Sequence, residues 1–302
     1  MSEIPNIYLD EPDPLSVLLS KLSLSAEIYV NGDFCGTWSV DTGGSKRIPF
    51  HLVGSGSAWL HFEGQAPQQL TPHDLVMFPH DAHHVISDSE TPPAPEQVNA
   101  PMSNDGEVTN LICGFFEFKN PVFFPVLDSL PKNIVLKSHE KDSGERIEFL
   151  IGFMLKELAA ARPGFYTAID QMAFLIFIEI MRKQMGNSDL QDGLLKALFD
   201  PRLGKALNGI HQQPEKAWTL ETLAQTALMS RSNFADAFSK IVGLTPMKYL
   251  THWRMNEARR LLKTTALSVA SIAEKSGYES EAAFRKAYRN TLGEPPGAVR
   301  PK

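Results

Sequence analysis

The chain has 302 residues, 43% of them hydrophobic and 21% charged, with a formal net charge of −6. That composition excludes a disordered or fibrous chain and leaves room for two domains, each with its own core. Cys35 and Cys113 are the only cysteines, which excludes a disulfide framework and fits a reducing cytoplasm. The first ten residues lack the basic start and apolar run of a signal peptide, and the most apolar segment, 172–181, is too short to span a bilayer and contains Glu179. A cytoplasmic protein with no membrane partner is expected.

In chain order, Asp13 or Ser16 caps a predicted helix over 14–24, with Leu15, Leu18, Leu19 and Leu22 on one face. From about 27 to 119 short runs alternate with glycine and proline turns. The predicted strands are 27–30, 37–40, 48–53, 57–62, 68–70, 75–78, 84–86 and 111–118, the pattern of a sandwich or small barrel. The proline-rich polar stretch 91–105 is expected to be a mobile loop. From Ser143 the period becomes helical. Ile147, Leu150, Ile151, Met154, Leu155 and Leu158 form a stripe that ends at Arg162-Pro163-Gly164. A second helix over 165–185 is apolar nearly all round at 173–181 and must be buried on several sides. Residues 186–193 read as a linker, and Asp200-Pro201 opens a helix over 202–212.

The whole-chain charge hides an asymmetry. Residues 211–302 carry 14 Lys and Arg against 8 Asp and Glu, a balance of +6, so residues 1–210 stand at −12. A basic end on an acidic body points to a polyanion partner for that end alone.

The basic end also repeats itself. Leu223, Ala224, Ala227, Ser230, Phe234, Phe238, Gly243 and Pro246 return as Ile272, Ala273, Ser276, Ser280, Phe284, Tyr288, Gly293 and Pro296. The offset is 49 residues up to Ser276 and 50 from Ser280, so the second copy has one extra residue in its turn. Each copy reads as a short helix, a tight turn, a second helix and a glycine-proline stop, the plan of a helix-turn-helix whose second helix enters a DNA major groove. Ser230 and Ser280 are N-caps. Arg231, Ser232, Asn233, Ala235, Asp236, Ser239 and Lys240 are expected to face mostly outward in the first copy, and Glu281, Ala282, Arg285, Lys286 and Arg289 in the second. Arg and Lys address guanine edges or phosphates, Asn pairs with adenine, and Asp or Glu accepts from cytosine. Between the copies, residues 247–262 form one amphipathic helix carrying Arg254, also a candidate DNA contact. Such a helix would hold the two reading helices at one spacing.

At these residues the chain resembles the AraC-type bacterial transcription regulators. The motifs are LAxxA, MSRSNFADAFSKIVGLTPMKYL, WRMNEARRLL and SVASIAEKSGYESEAAFRKAYRNTLGEPPGAVR, spanning 218–300. The resemblance implies promoter binding with activation or repression. Asp236 departs from it, standing where many members carry an Arg that reaches the bases, whereas Lys286 keeps a cation in the second copy. The second copy is therefore expected to supply more cationic contact. The first half is similar to the cupin-type sensory domain of one branch of that family, through DPLSVLLSKL, the His51-Leu-Val segment with Gly54 and Gly56, Asp74-Leu-Val with Pro79-His80, and Leu111-Ile-Cys-Gly.

The implied fold class is α+β: an amino-terminal cupin-like β-sandwich or barrel with flanking dimerisation helices, then an all-α domain with two helix-turn-helix motifs. Boundaries are placed at 1–140 for the sensory domain, 141–192 for the helical dimerisation segment and linker, and 193–302 for the DNA-binding domain. The implied partners are double-stranded promoter DNA, a second copy of the chain, RNA polymerase and a small-molecule effector.

His73, His80, His83 and His84, with His51 and His61, invite a metal reading. Against it, the first cupin ligand cluster is reduced to His51, and two imidazoles do not close a zinc or iron site, although Cys113 would add a thiolate. No metal and no cofactor are expected. His51, Trp59, His84 and Phe116 are candidate walls of a small-molecule pocket, and Cys113 is a redox candidate because it matches a cysteine that senses oxidants in a relative of that branch. A buried cysteine is otherwise a small hydrophobe. Two other readings stand beside the regulator. One is a cupin metalloenzyme with an accessory helical domain, weakened by the incomplete ligand set. The other is a protein-binding helical repeat, which leaves the +6 balance unexplained.

Overall fold

The computed structural model describes residues 13–20, 24–100, 105–118, 127, 129–140, 144–185 and 193–300. The expected leader and the linker at 186–192 lie outside them; the helix expected over 14–24 stops at Leu19 with Ser20 as its C-cap, and Leu24 already begins a strand. The chain divides into two compact units, one built on 24–119 and 130–190, the other gathering the described residues of 1–23, 120–129 and 191–302.

The first unit is a sandwich of two antiparallel sheets. Its strands are β1 (Leu24–Cys35), β2 (Ser39–Val40), β3 (Ile48–Ser55), β4 (Ala58–Phe62), β5 (Gln68–Leu70), β6 (Leu75–Met77), β7 (His84–Ser87), β8 (Val108–Phe118) and β9 (Ile134–Leu136). One sheet runs β1-β8-β3-β6-β9 and the other β2-β7-β4-β5. Alternation along each strand sends one set of side chains between the sheets. That set, including Val53, Leu60, Val76, Phe78, Ile86, Leu111 and Cys113, is the inner core. The opposite face of β3 and β8 is buried as well: Phe50 stacks on Phe116, and Phe118 meets Phe177 edge-on. Gly114 is required there, since a Cβ would lie 2.4 Å from the Phe50 ring.

Helices α2 (Gly144–Ala160) and α3 (Phe165–Met185) form an antiparallel hairpin, and α3 covers this second face. Asp170 on α3 accepts from the Ala26 amide at 2.9 Å, satisfying an outward group of the edge strand β1. Buried Glu179 is neutralised by Arg146 at 3.1 Å and Arg182 at 2.6 Å. The expected burial of α3 on several sides is observed, with Ile169, Met172, Ala173, Ile176, Phe177, Ile180 and Met181 all enclosed. The expected mobile loop is tied down over its described part. Ser39 Oγ donates to the Gln97 carbonyl at 2.9 Å, and Asn99 exchanges hydrogen bonds with the Asp41 backbone at 3.0 and 3.1 Å.

The second unit is helical. It contains α4 (Leu194–Phe199), α5 (Leu203–Gln212), α6 (Leu220–Thr226), α7 (Arg231–Val242), α8 (Pro246–Thr264), α9 (Val269–Lys275) and α10 (Glu281–Leu292). Helix α1 (Pro14–Leu19), which the sequence groups with the strands, packs on α4 and α5 of this unit through Leu15, Leu18 and Leu19. Gly193 opens α4 directly against Ser129, where a Cβ would lie 2.3 Å from the serine Cβ.

Candidate nucleic-acid interface

The two helix-turn-helix copies are built the same way. In the first, α6 starts at the N-cap Thr219, and Leu223 and Ala224 are buried against α7. Ser230 accepts from the Asn233 amide to begin α7, and Gly243 ends it at φ 77°. In the second, Ser268 caps α9, Ser280 accepts from the Ala283 amide to begin α10, and Gly293 ends it, again at φ 77°. A left-handed residue at that stop satisfies the last carbonyls of the helix, which is why glycine recurs there. Phe234 and Phe238 sit 5.6 Å apart at 54°, and Phe284 and Tyr288 sit 5.7 Å apart at 50°. All four are completely buried, so each reading helix has its own anchor.

The turn shows where the copies differ. Met229 N bonds to the Ala224 carbonyl at 2.9 Å, and Tyr278 N bonds to the Ala273 carbonyl at 3.0 Å. Register is therefore kept through Tyr278, and the extra residue of the second copy is Glu279. The left-handed position of the turn is Leu228 in the first copy, at φ 55°, and Gly277 in the second, at φ 72°.

Helix α8 carries both copies. Tyr249, Leu250 and Trp253 are buried toward the first, where His211 stacks on Trp253 at 3.9 Å and bonds the Tyr249 hydroxyl at 2.7 Å. Met255, Ala258 and Leu262 belong to the core of the second, with Ile272, Phe284 and Tyr288.

The expected reading residues fall on the outer faces. Arg231, Ser232, Asn233, Asp236 and Lys240 are exposed along α7, and Ala282, Arg285, Lys286 and Arg289 along α10. Glu281 is half-buried and holds Arg285 in an i,i+4 pair at 2.6 Å. This evens out the asymmetry read from the sequence. Arg285 arrives with a carboxylate attached, leaving Lys286 and Arg289 on α10 against Arg231 and Lys240 on α7. Arg254 is placed differently. Its guanidinium donates to the carbonyls of Pro214 and Lys216, at 2.6 and 2.8 Å, and burial pulls its pKa down.

Inside the sandwich, three of the four candidate ligand or redox residues meet. His51 Nδ1 lies 3.0 Å from Cys113 Sγ, and its Nε2 lies 2.8 Å from His84 Nε2, with Thr42 Oγ1 3.3 Å from both Nε2 atoms. His84 Nδ1 faces the Ala82 carbonyl at 2.7 Å and must donate to it, so its Nε2 is bare. His51 then donates from Nε2, and its bare Nδ1 accepts from the Cys113 thiol. Phe78 stacks flat on His84 at 3.5 Å. Burial pushes the Cys113 thiol up to about 12 and lowers the pKa of both histidines.

Cys113 sits on the far nitrogen of His51, so it cannot join an ion held by the two Nε2 atoms. Among the described residues no group of three or more His, Cys, Asp and Glu is arranged to hold a metal. The other histidines scatter: His61 binds Ser87, His80 faces the Leu130 carbonyl, His83 pairs with Asp41, and His73 lies 3.7 Å from Glu148. Trp59 does not join the group. Its neighbours Ala58 and Leu60 point into the inner core, so Trp59 points out. Phe116 lies on the helix-covered face. The missed members are Thr42 and Tyr29, whose hydroxyl bonds both Thr42 and Cys113, and the sequence carries no signal for either.

Two family models match the chain, one described as Cupin over residues 13–186 and one as Helix-turn-helix domain over residues 223–302. The HTH-type transcriptional regulator AlkR of Acinetobacter baylyi is 30% identical over 298 residues, covering 94% of this chain and 97% of AlkR. The chain belongs to the AraC-type transcription regulators with an amino-terminal cupin domain. The RCS-specific HTH-type transcriptional activator RclR of Escherichia coli is 29% identical, over 95% of this chain and 97% of RclR. Among solved structures, the DNA-binding domain of AdpA in complex with a target DNA is 35% identical over 33% of this chain and 90% of that one, with a TM-score of 0.32. The AraC-type assignment accounts for the doubled helix-turn-helix and for a cupin fold with an incomplete ligand set. It gives no support to the metalloenzyme reading. No described helix is long and apolar enough to cross a membrane.

Proposed function

We propose that this AraC-type regulator binds promoter DNA as a homodimer, placing α7 and α10 of each protomer in successive major grooves of the duplex. The observation that carries the reading is the pair of matched, separately anchored helices on α8, each with an exposed polar and cationic outer face. Grooves on one side of B-DNA recur about every 34 Å, a distance one long connecting helix can bridge. Phe149 and Phe153 on α2, exposed at 72% and 48% and stacked on each other, are the apolar surface that a second copy would cover. The cupin unit would bias that pairing in response to an effector, and RNA polymerase is the partner through which a bound regulator would act.

The test is duplex binding by the full chain, using a sequence selected from a random library. Affinity for the selected duplex is expected to exceed that for random duplex by about 1,000-fold or more and to fall steeply with salt. Equal affinity for both, or no salt dependence, would end the proposal. Sedimentation of Phe149→Lys, expected to be monomeric where the parent is dimeric, tests the pairing surface.

A further inference from the structure

One connecting helix is a weak way to fix two reading heads, because long helices bend. The structure supplies a second connection. Arg254 lies near the middle of α8, and its planar fork spans two carbonyls two residues apart, Pro214 and Lys216, in the segment that leads from α5 into the first helix-turn-helix. The same guanidinium faces the ring of Tyr278, 5.8 Å from its centroid, in the turn of the second helix-turn-helix. Gly277, next to it, is pressed onto the same place. A Cβ there would lie 2.5 Å from the Glu215 carbonyl oxygen and 2.7 Å from Arg254 Nη2. The approach segment of one motif therefore touches the turn of the other, with Arg254 between them. A guanidinium suits this: it offers two parallel donors to separate acceptors while leaving a flat face for an aromatic ring, whereas an ammonium cannot span both.

We propose that Arg254, Gly277 and Tyr278 form a clasp that sets the separation of the two reading helices, making Arg254 a positioning residue for operator spacing rather than a DNA contact. The inference rests on the two-groove reading, but the clasp can be measured without DNA. Spin labels at Ser232→Cys and Ala282→Cys, in a Cys35→Ser full chain diluted into unlabelled protein, report the distance between α7 and α10. The parent is expected to give one narrow distribution, and Arg254→Ala and Gly277→Ala to broaden it about twofold or more. Arg254→Lys keeps the charge without the fork and is expected to broaden it too, which preserves the test if the alanine variant folds poorly. Unchanged widths in Arg254→Lys and Gly277→Ala would overturn the proposal.

Binding to selected duplexes carrying one extra base pair between the two groove sites gives the second readout. The parent is expected to lose about tenfold or more in affinity, and the clasp variants about threefold or less, with the salt slope unchanged. A salt slope reduced by about one in Arg254→Ala, with spacing preference intact, would show Arg254 on a phosphate and overturn the clasp. A parent indifferent to spacing, despite a narrow distance distribution, would instead refute the two-groove reading and remove spacing as the clasp's role.

Discussion

His51 and His84 meet Nε2 to Nε2 at 2.8 Å inside the sandwich, their rings at 63°. The facing nitrogens can share one proton; a second would set two N–H groups against each other and leave a positive charge on His84 in a buried site. For His51 burial and then His84 depress the folded pKa; for His84 burial dominates and the Ala82 carbonyl acts against it. A base with a depressed folded pKa contributes its full stability above its unfolded value near 6.5. That contribution is lost as pH falls from there toward the folded pKa, at about 1.4 kcal/mol per pH unit for each such group. The denaturant midpoint is therefore expected to be lower at pH 5.5 than at pH 7.5. In His84→Gln much of that difference should vanish. Identical pH profiles for parent and variant would contradict this origin.

Cys113 is fully buried with its thiol pushed up to about 12, whereas Cys35 is partly accessible. Alkylation of the native protein at pH 8, followed by mass spectrometry, is expected to modify Cys35 and spare Cys113, since reaction needs an accessible thiolate. Rapid labelling of Cys113 in the folded chain would show that the sandwich opens to solvent and would restore it as a redox site.

Because Glu281 holds Arg285, Arg285→Ala is expected to weaken duplex binding less than Lys286→Ala or Arg289→Ala, each of which should cost about five- to tenfold and reduce the salt slope by about one. Glu281→Gln should strengthen binding by releasing Arg285 and removing a carboxylate from the phosphate side. A gel-shift series at two salt concentrations decides between these orders.

Asp236 is exposed on the outer face of α7. If it acts by narrowing base preference, Asp236→Ala should leave affinity for the selected duplex within about threefold of the parent and raise affinity for random duplex. Lys286→Ala should weaken both alike. Equal losses from the two substitutions would remove the division of roles between the copies.

Truncating Phe284 to alanine empties the centre of the second motif. A loss of about 3–5 kcal/mol is expected in urea unfolding, with binding reduced to what the first motif supports alone.

How much of this was legible in the residues follows from how local each signal is. The reading helices are specified by a serine cap, two aromatics four residues apart and a glycine stop, all within about a dozen residues, and each feature is found where expected. Strands β1 and β8 extend beyond the predicted runs, because their ends alternate too weakly to stand out and are defined by pairing with each other. Strand β9 escapes notice since three residues after a polar stretch acquire strand character only by joining β6. Trp59 and Phe116 have the right residue type to line a pocket with His51 and His84, but pleating turns both away from the inner core. Arg254 looks like a surface cation of an amphipathic helix until the carbonyls of a loop 38 residues away are in view.

The packing of α1, together with Leu127 and Ser129, on the side of residues 193–300 has a consequence for dissection. The polypeptide crosses between the units four times, at 23–24, 119–120, 129–130 and 190–191. A fragment beginning at residue 193 would keep both reading helices but leave bare the surface on α4 and α5 that α1 occupies. Domain exchange between such regulators by a single splice would hand the recipient a mismatched amino-terminal helix, so a working chimera needs residues 13–20 to travel with the carboxy-terminal half.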